Sequence, residues 1–329
     1  MCEDNNQECL QGLVNNHPTR TMPYWEKYFS TPPGDRVFIA PNEIINYINL
    51  DNLKNGYPNK TVAALPSKEF FEVIKNALSE IPDSVRKITQ AKFAGVFLVN
   101  DLGGTGYTES ILDEEGNPVA GFIVLDASVL KERTANQWVT WKESTPFKIS
   151  PSIKINAIIE SDKNDNHKNA VQYILLHELG HIISIGGFFH PPWNTNANNI
   201  KELEKYDFFN ESWRIDQKEN KFISRFDSTV LPERKNLVYY FGAELDADQM
   251  ISTYNNLEKT DFVTVYAATH PADDWAESFV TYVHAVLMKK PFQINIKKNG
   301  KTEKSFKLCW GTPRCARKEM FLSKLFERI

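Results

Sequence analysis

The sequence predicts an α+β protein, and two kinds of pattern indicate this class. Short apolar runs typical of strands occupy 95–99, 121–125 and 153–159, with turn-forming segments between them. A helical pattern follows the third run at about residues 168–185, and another lies at about residues 271–288. We therefore expect a small mixed sheet, followed by a long helix and a helical C-terminal subdomain.

The first 65 residues predict an irregular N-terminal extension with little core of its own. They are rich in Asn, Pro and Gly, and Pro32-Pro33-Gly34 and Asn55-Gly56 interrupt their short apolar runs. Ser67 then has the character of a helix cap ahead of an apolar stripe. We expect the extension to cover 1–65 and the main domain to cover 66–329.

Composition limits the kinds of partner. Hydrophobic residues make up 41% of the 329 residues and charged residues 24%, which is ordinary for a soluble globular protein. The net charge of -4 argues against a nucleic-acid partner. No apolar run reaches the roughly eighteen residues of a transmembrane segment. The lysines around Asn299-Gly300 predict the solvated face of a β-hairpin.

The cysteines favour an exported protein. Cys309 and Cys315 bracket a turn-forming segment, which predicts a small disulfide loop. Cys2 follows the initiator methionine and precedes a polar run, so the start of the chain resembles a mature bacterial lipoprotein. Two interpretations stay open: Cys2 carries a lipid anchor, or it is an ordinary cysteine that can pair with Cys9. The expected location is secreted or at the bacterial cell envelope.

The chemistry centres on His177-Glu178-Leu179-Gly180-His181, which matches the pattern H-E-x-x-H. Residues i and i+4 share one helical face, so His177 and His181 can bind one zinc ion. Glu178 is adjacent to the first ligand and can act as base on the attacking water. The alternative is a buried helix with incidental histidines. A sheet followed by a helix with this pattern resembles the order found in zincin metallopeptidases.

Two acidic segments compete for the third metal ligand. Glu244 begins Glu244-Leu245-Asp246-Ala247-Asp248, an E-x-x-A-D pattern. Asp273 and Glu277 lie at i and i+4 on the helix that Pro271 is expected to open. In such a pair one carboxylate can bind the metal while the other accepts a hydrogen bond from a ligand histidine.

The second segment carries a more specific resemblance. Tyr-Ala-x-x-x-Pro-x-acid-x-x-Ala, beginning at Tyr266, resembles lethal-factor-like zinc metallopeptidases and related bacterial zinc-binding metallopeptidases. The resemblance implies a zincin-like fold, one Zn²⁺ ion, Asp273 as the metal ligand and Glu277 as the later glutamate of these families. The families normally have glutamate as ligand, so Glu277 and Glu244 stay open as alternative ligands. The resemblance covers about 168–187 and 239–285.

These observations predict a zinc-dependent metallopeptidase that acts on a peptide or protein substrate. His177, His181 and Asp273 would hold the zinc, Glu178 would be the general base, and the Tyr266 hydroxyl would stabilise the oxyanion. Strand 121–125 is expected to be an edge strand that pairs with an extended substrate. Two alternatives stay open: a zinc hydrolase of a non-peptide amide such as a cell-wall component, and a non-catalytic surface binding module.

Overall fold

A five-stranded sheet forms the centre of the first of two compact units, Met1–Glu132. The computed structural model describes residues 6–131, 133–193, 195–227 and 229–327. The helices and strands of the first unit are, in chain order, α1 (Gln7–Asn15), α2 (Met22–Phe29), β1 (Val37–Ile39), α3 (Asn42–Lys54), β2 (Val62–Ala63), α4 (Lys68–Ser79), α5 (Asp83–Thr89), β3 (Phe93–Asn100), β4 (Gly106–Leu112), β5 (Pro118–Asp126) and α6 (Ala127–Leu130).

The strand order of this sheet is β1-β3-β5-β4, with β2 paired to the end of β3. β1, β3 and β5 run parallel, and β4 runs antiparallel to β5. β3 and β5 are buried along almost their whole length, as expected of strands that read as continuous apolar runs. The predicted strands 95–99 and 121–125 are confirmed. The edge position expected for 121–125 is wrong, because β5 is paired on both sides.

Residues 6–65 differ from the irregular extension that the sequence predicted. They form α1, α2, α3 and two short strands, and their side chains enter the core of the first unit. Trp25 is 0% exposed and stacks on Phe122 of β5, with ring centroids 4.3 Å apart. Tyr47 and Ile44 of α3 are buried in the same core. The Pro and Asn residues separate helices that pack on the sheet. Residues 6–65 therefore belong to the first unit, and the boundary between the two units follows Glu132.

The second unit is Arg133–Ile329 and contains all the residues of the metal motif. Its helices and strands are, in chain order, α7 (Ala135–Ser144), β6 (Ile153–Ile158), α8 (His167–Ser184), α9 (Asp207–Ser212), β7 (Trp213–Asp216), β8 (Lys221–Ser224), α10 (Gln249–Leu257), α11 (Pro271–Tyr282), β9 (Gln293–Lys298), β10 (Lys301–Lys307) and α12 (Ala316–Glu327). The protein is therefore of mixed α and β structure.

The sheet of the second unit is antiparallel, with the order β10-β9-β6. The hairpin predicted at Asn299-Gly300 is confirmed, and both residues have the positive φ that a tight hairpin turn needs. The sheet of the first unit is mixed, as expected, but the third predicted strand is not part of it, because β6 pairs with β9 and not with β3 or β5. That partner lies far along the chain, beyond the reach of local sequence patterns.

Helices α8 and α11 pack closely against each other, and this contact positions the metal motif. A Cβ atom at Gly180 would lie 3.1 Å from the Ala276 Cα atom, so glycine is needed where the two helices touch. The Trp275 indole also donates a hydrogen bond to the Gly180 carbonyl at 2.8 Å. The predicted extents of both helices are confirmed, since α11 continues through a π-helical turn at Val283–Leu287.

Two further features concern the cysteines and the helices of the chain. Cys309 and Cys315 form the expected disulfide, with Cα atoms 5.6 Å apart. Cys2 lies outside the described residues, so its lipidation and its pairing with Cys9 stay predictions. No helix among the described residues is both long and apolar enough to cross a membrane.

Candidate metal centre

Three side chains from two helices converge on one point. His177 and His181 project from the same face of α8, and Asp273 projects from the first turn of α11. The Asp273 Oδ1 atom lies 4.0 Å from His177 Nε2 and 3.8 Å from His181 Nε2. One ligand atom from each residue lies within 4.8 Å of the other two. Among the described residues, these three side chains form the group that could hold a metal ion.

These separations suit a small metal ion after a modest inward movement. Zinc binds nitrogen and carboxylate oxygen at about 2.0–2.2 Å, which places tetrahedral ligands roughly 3.3–3.6 Å apart. His177 Nε2 and His181 Nε2 therefore each need to approach Asp273 Oδ1 by less than about 1 Å. His177 and His181 are 11% exposed in their side chains and Asp273 is 22% exposed, so a fourth ligand can reach the group.

Glu277 contacts the His177 ring on the side that faces away from Asp273. His177 Nδ1 donates to Glu277 Oε1 at 2.9 Å, which turns the other ring nitrogen toward Asp273. Lys142 Nζ lies 2.5 Å from the same oxygen, and the Thr264 hydroxyl donates to Oε2 at 2.7 Å. Both carboxylate oxygens are thus occupied, and Glu277 is 0% exposed. This geometry favours support of His177 over the alternative of Glu277 as ligand.

The protonation preferences of the group follow from burial and from these contacts. Burial would raise the pKa of Glu277, but the Lys142 charge and the His177 contact outweigh it and lower the pKa to about 2. Burial would lower the pKa of His177, and the Glu277 hydrogen bond and charge raise it instead. Burial raises the pKa of Asp273 to about 6. A metal ion must displace protons from such a group, so binding would be linked to pH.

Glu178 and Tyr266 lie beside the three converging side chains. Glu178 follows His177 in α8, is 7% exposed, and lies close enough to His177 and Asp273 to interact with both electrostatically. The Tyr266 ring centroid lies 5.8 Å from that of His177. Burial, and next to it the Asp273 charge, raise the pKa of Tyr266 well above its ordinary value. Its phenol is therefore protonated at neutral pH and can donate a hydrogen bond.

Glu244, the third candidate ligand, is not brought to the group. It is exposed and lies in the segment that precedes α10. Its neighbour Leu245 is buried and bridges to Phe147, which holds this segment against a different part of the second unit. The E-x-x-A-D pattern therefore has no role that this geometry supports in metal binding.

Sequence reasoning missed Lys142, the cation that neutralises Glu277. A signal for it exists in α7, where Ala135, Trp138 and Val139 define an apolar face that is buried. Lys142 and Glu143 occupy positions i+7 and i+8 of that face, so both charges are carried into the interior. A charged pair at apolar positions of an amphipathic helix indicates a buried ionic contact.

Comparison with known proteins gives no relative for this chain. No protein-family model matches the sequence, and no curated protein or solved structure matches it. The functional assignment consequently depends on the motif residues and on the geometry described above.

Proposed function

We propose that this protein is a zinc-dependent metallopeptidase of the zincin type, with a site built by α8 and α11. The observation that carries the proposal is the convergence of one ligand atom each from His177, His181 and Asp273, all within 4.8 Å of one another. Two imidazoles and one carboxylate are the donor set of many catalytic zinc sites, which keep a fourth position open.

The surroundings of the group suit that assignment. The Glu277 carboxylate fixes the tautomer and orientation of His177, which is the usual support for a ligand histidine. Zinc, when bound, acts as a Lewis acid and lowers the pKa of water. The Cys309–Cys315 disulfide further supports an exported protein, because disulfides persist in oxidising compartments.

Three residues of the chain would support the hydrolysis: Glu178, Tyr266 and Lys142. Glu178 would accept a proton from the attacking water and pass it to the leaving amine, since its carboxylate is an electrostatic neighbour of His177 and Asp273. The Tyr266 phenol would donate a hydrogen bond to the carbonyl oxygen as negative charge develops on it. Lys142 neutralises the Glu277 carboxylate and so limits the negative charge behind His177.

The experiment is digestion of a proteome-derived peptide library by the zinc-loaded wild type and by Glu178→Gln. The amide keeps the size of the side chain but cannot accept the proton, so we expect equal zinc content and a roughly 10²–10⁴-fold loss of cleavage rate. Glu244→Gln is the matched control, because Glu244 is exposed and lies outside the group.

Three results would speak against the proposal. Cleavage by Glu178→Gln at the wild-type rate would remove the assigned base. A zinc-loaded wild type that cleaves no peptide would leave a non-peptide amide hydrolase or a binding module. A wild type that binds no zinc would remove the metal site itself.

A further inference from the structure

Two buried histidine nitrogens, one in α8 and one in the loop that follows it, have no hydrogen-bond partner among the described residues: His181 Nδ1 and His190 Nε2. His181 belongs to the candidate metal centre, and His190 lies in the loop that follows α8. The His190 residue is 4% exposed and His181 is 9% exposed. A buried polar atom without a partner is costly to the fold, so two of them near one site call for an explanation.

The hydrogen-bond role of His190 follows from its other nitrogen. His190 Nδ1 lies 2.7 Å from the Pro191 carbonyl oxygen. A carbonyl only accepts, so the proton of the neutral ring resides on Nδ1. Burial keeps this ring neutral, because no carboxylate of the described residues is in hydrogen-bond contact with it. Nε2 of His190 is therefore a hydrogen-bond acceptor.

His181 should be the hydrogen-bond donor of the pair, and this step rests on the proposed zinc site. His181 Nε2 points to Asp273 Oδ1 at 3.8 Å and would be the nitrogen that binds the metal. A neutral ligand imidazole that binds through Nε2 carries its proton on Nδ1. His181 Nδ1 is therefore a hydrogen-bond donor. A histidine that binds a metal almost always donates a hydrogen bond from its other ring N–H to a nearby acceptor.

We propose that His190 is a positioning residue for His181, whose Nδ1–H donates to His190 Nε2 through one bridging water. The two ligand histidines of α8 would then be supported differently. His177 is held by the charged Glu277 carboxylate, whereas His181 is held by a neutral imidazole. The left-handed Gly186, with φ +64°, follows the end of α8, and the loop beyond it carries His190 close enough to His181 for the two rings to interact electrostatically.

Other groups near His190 do not fill the same role. Trp193 packs edge-on against the His181 ring with centroids 5.8 Å apart, which is an apolar contact. His270 caps α11, and its Nδ1 accepts from the Ala272 amide at 3.2 Å. His270 Nε2 is thus a donor in the neutral ring, and it cannot accept a hydrogen bond from His181.

The test compares His190→Phe with His190→Gln in the full chain. Phenylalanine preserves an aromatic ring but offers no acceptor, whereas the glutamine carbonyl can still accept a hydrogen bond. Zinc dissociation constants are measured by chelator competition, and the His181 Nδ1–H resonance is followed in zinc-loaded protein labelled at histidine nitrogens. His167→Gln is the matched control, since His167 is an exposed histidine at the start of the same helix.

We expect roughly 10–100-fold weaker zinc binding and loss of the His181 Nδ1–H resonance in His190→Phe. His190→Gln should recover most of the affinity, and His167→Gln should bind zinc as the wild type does. A His190→Phe protein that binds zinc like the wild type and keeps the resonance would overturn the inference while leaving the proposed function intact. Absence of zinc binding in the wild type would instead overturn the proposed function, and this inference with it.

Discussion

The His177 Nδ1 atom donates to Glu277 Oε1 at 2.9 Å, while the other nitrogen of the same ring faces Asp273. One α11 carboxylate thus lies in front of the histidine and the other lies behind it, at the i, i+4 spacing of the helix. The relationship ties the ligand group to the buried Lys142, which contacts the same Glu277 oxygen. A change at Lys142 should therefore affect both stability and metal binding.

Lys142→Met should destabilise the protein strongly. It would leave the Glu277 carboxylate buried without its cation, and breaking a buried ion pair from one side costs about 3–5 kcal/mol. Urea denaturation measures the change in the free energy of unfolding. Lys148→Met is the matched control, because the Lys148–Asp246 pair is exposed to solvent and should contribute little to stability. Equal losses in the two variants would refute a special role for Lys142.

Gly180→Ala tests the contact between α8 and α11. Alanine favours a helix by about 1 kcal/mol, but its Cβ atom would lie 3.1 Å from the Ala276 backbone. We expect a net destabilisation of about 1–3 kcal/mol from overpacking. Gly12→Ala in α1 provides the comparison, since a Cβ atom there meets nothing within 4 Å and should stabilise the helix. Thermal unfolding of both variants measures the difference, and stabilisation of both would contradict the close packing of the two helices.

The stability of the protein should depend on pH through Glu143. Burial raises the pKa of this carboxyl from 4.5 to about 7 in the folded state, where Tyr254 donates a hydrogen bond to it. The folded state therefore binds the proton more tightly than the unfolded state. Its contribution is complete below pH 4.5 and is lost as the pH rises through 7, by about 3 kcal/mol.

Glu143→Gln removes this titration while keeping the shape of the side chain. The measurement is the free energy of unfolding in urea at several pH values between 4.5 and 7.5. The wild type should lose about 3 kcal/mol relative to the variant as the pH rises, because all other titrating groups are common to both. A constant difference between wild type and variant across this range would show that Glu143 is already ionised in the folded protein.

The local features of the second unit could be predicted from the sequence for physical reasons. Two histidines at i and i+4 in an apolar run fix a buried helix with one polar face, and α8 forms with that spacing. Pro271 opens α11, and Asn299-Gly300 turns the hairpin, because each has a backbone preference that acts over a few residues.

The remaining features depend on contacts between distant residues. β6 pairs with β9 across a long stretch of chain, and Trp25 of α2 packs on Phe122 of β5. A pattern of a few neighbouring residues does not specify such distant partners. The sequence therefore does not indicate that the N-terminal helices pack into the core. The same reason hides the Lys142–Glu277 pair, although each residue lies on a helix whose course the sequence indicates.

The central claim is that His177, His181 and Asp273 hold one zinc ion, and the zinc dissociation constant of Asp273→Ala tests it most directly. Loss of a ligand should weaken binding by more than the 10–100-fold typical of supporting residues. Glu244→Ala, at the competing carboxylate, should bind zinc as the wild type does. One zinc per chain in the wild type and in Glu244→Ala, with affinity lost in Asp273→Ala, is the predicted result. Undiminished zinc affinity in Asp273→Ala would contradict the account.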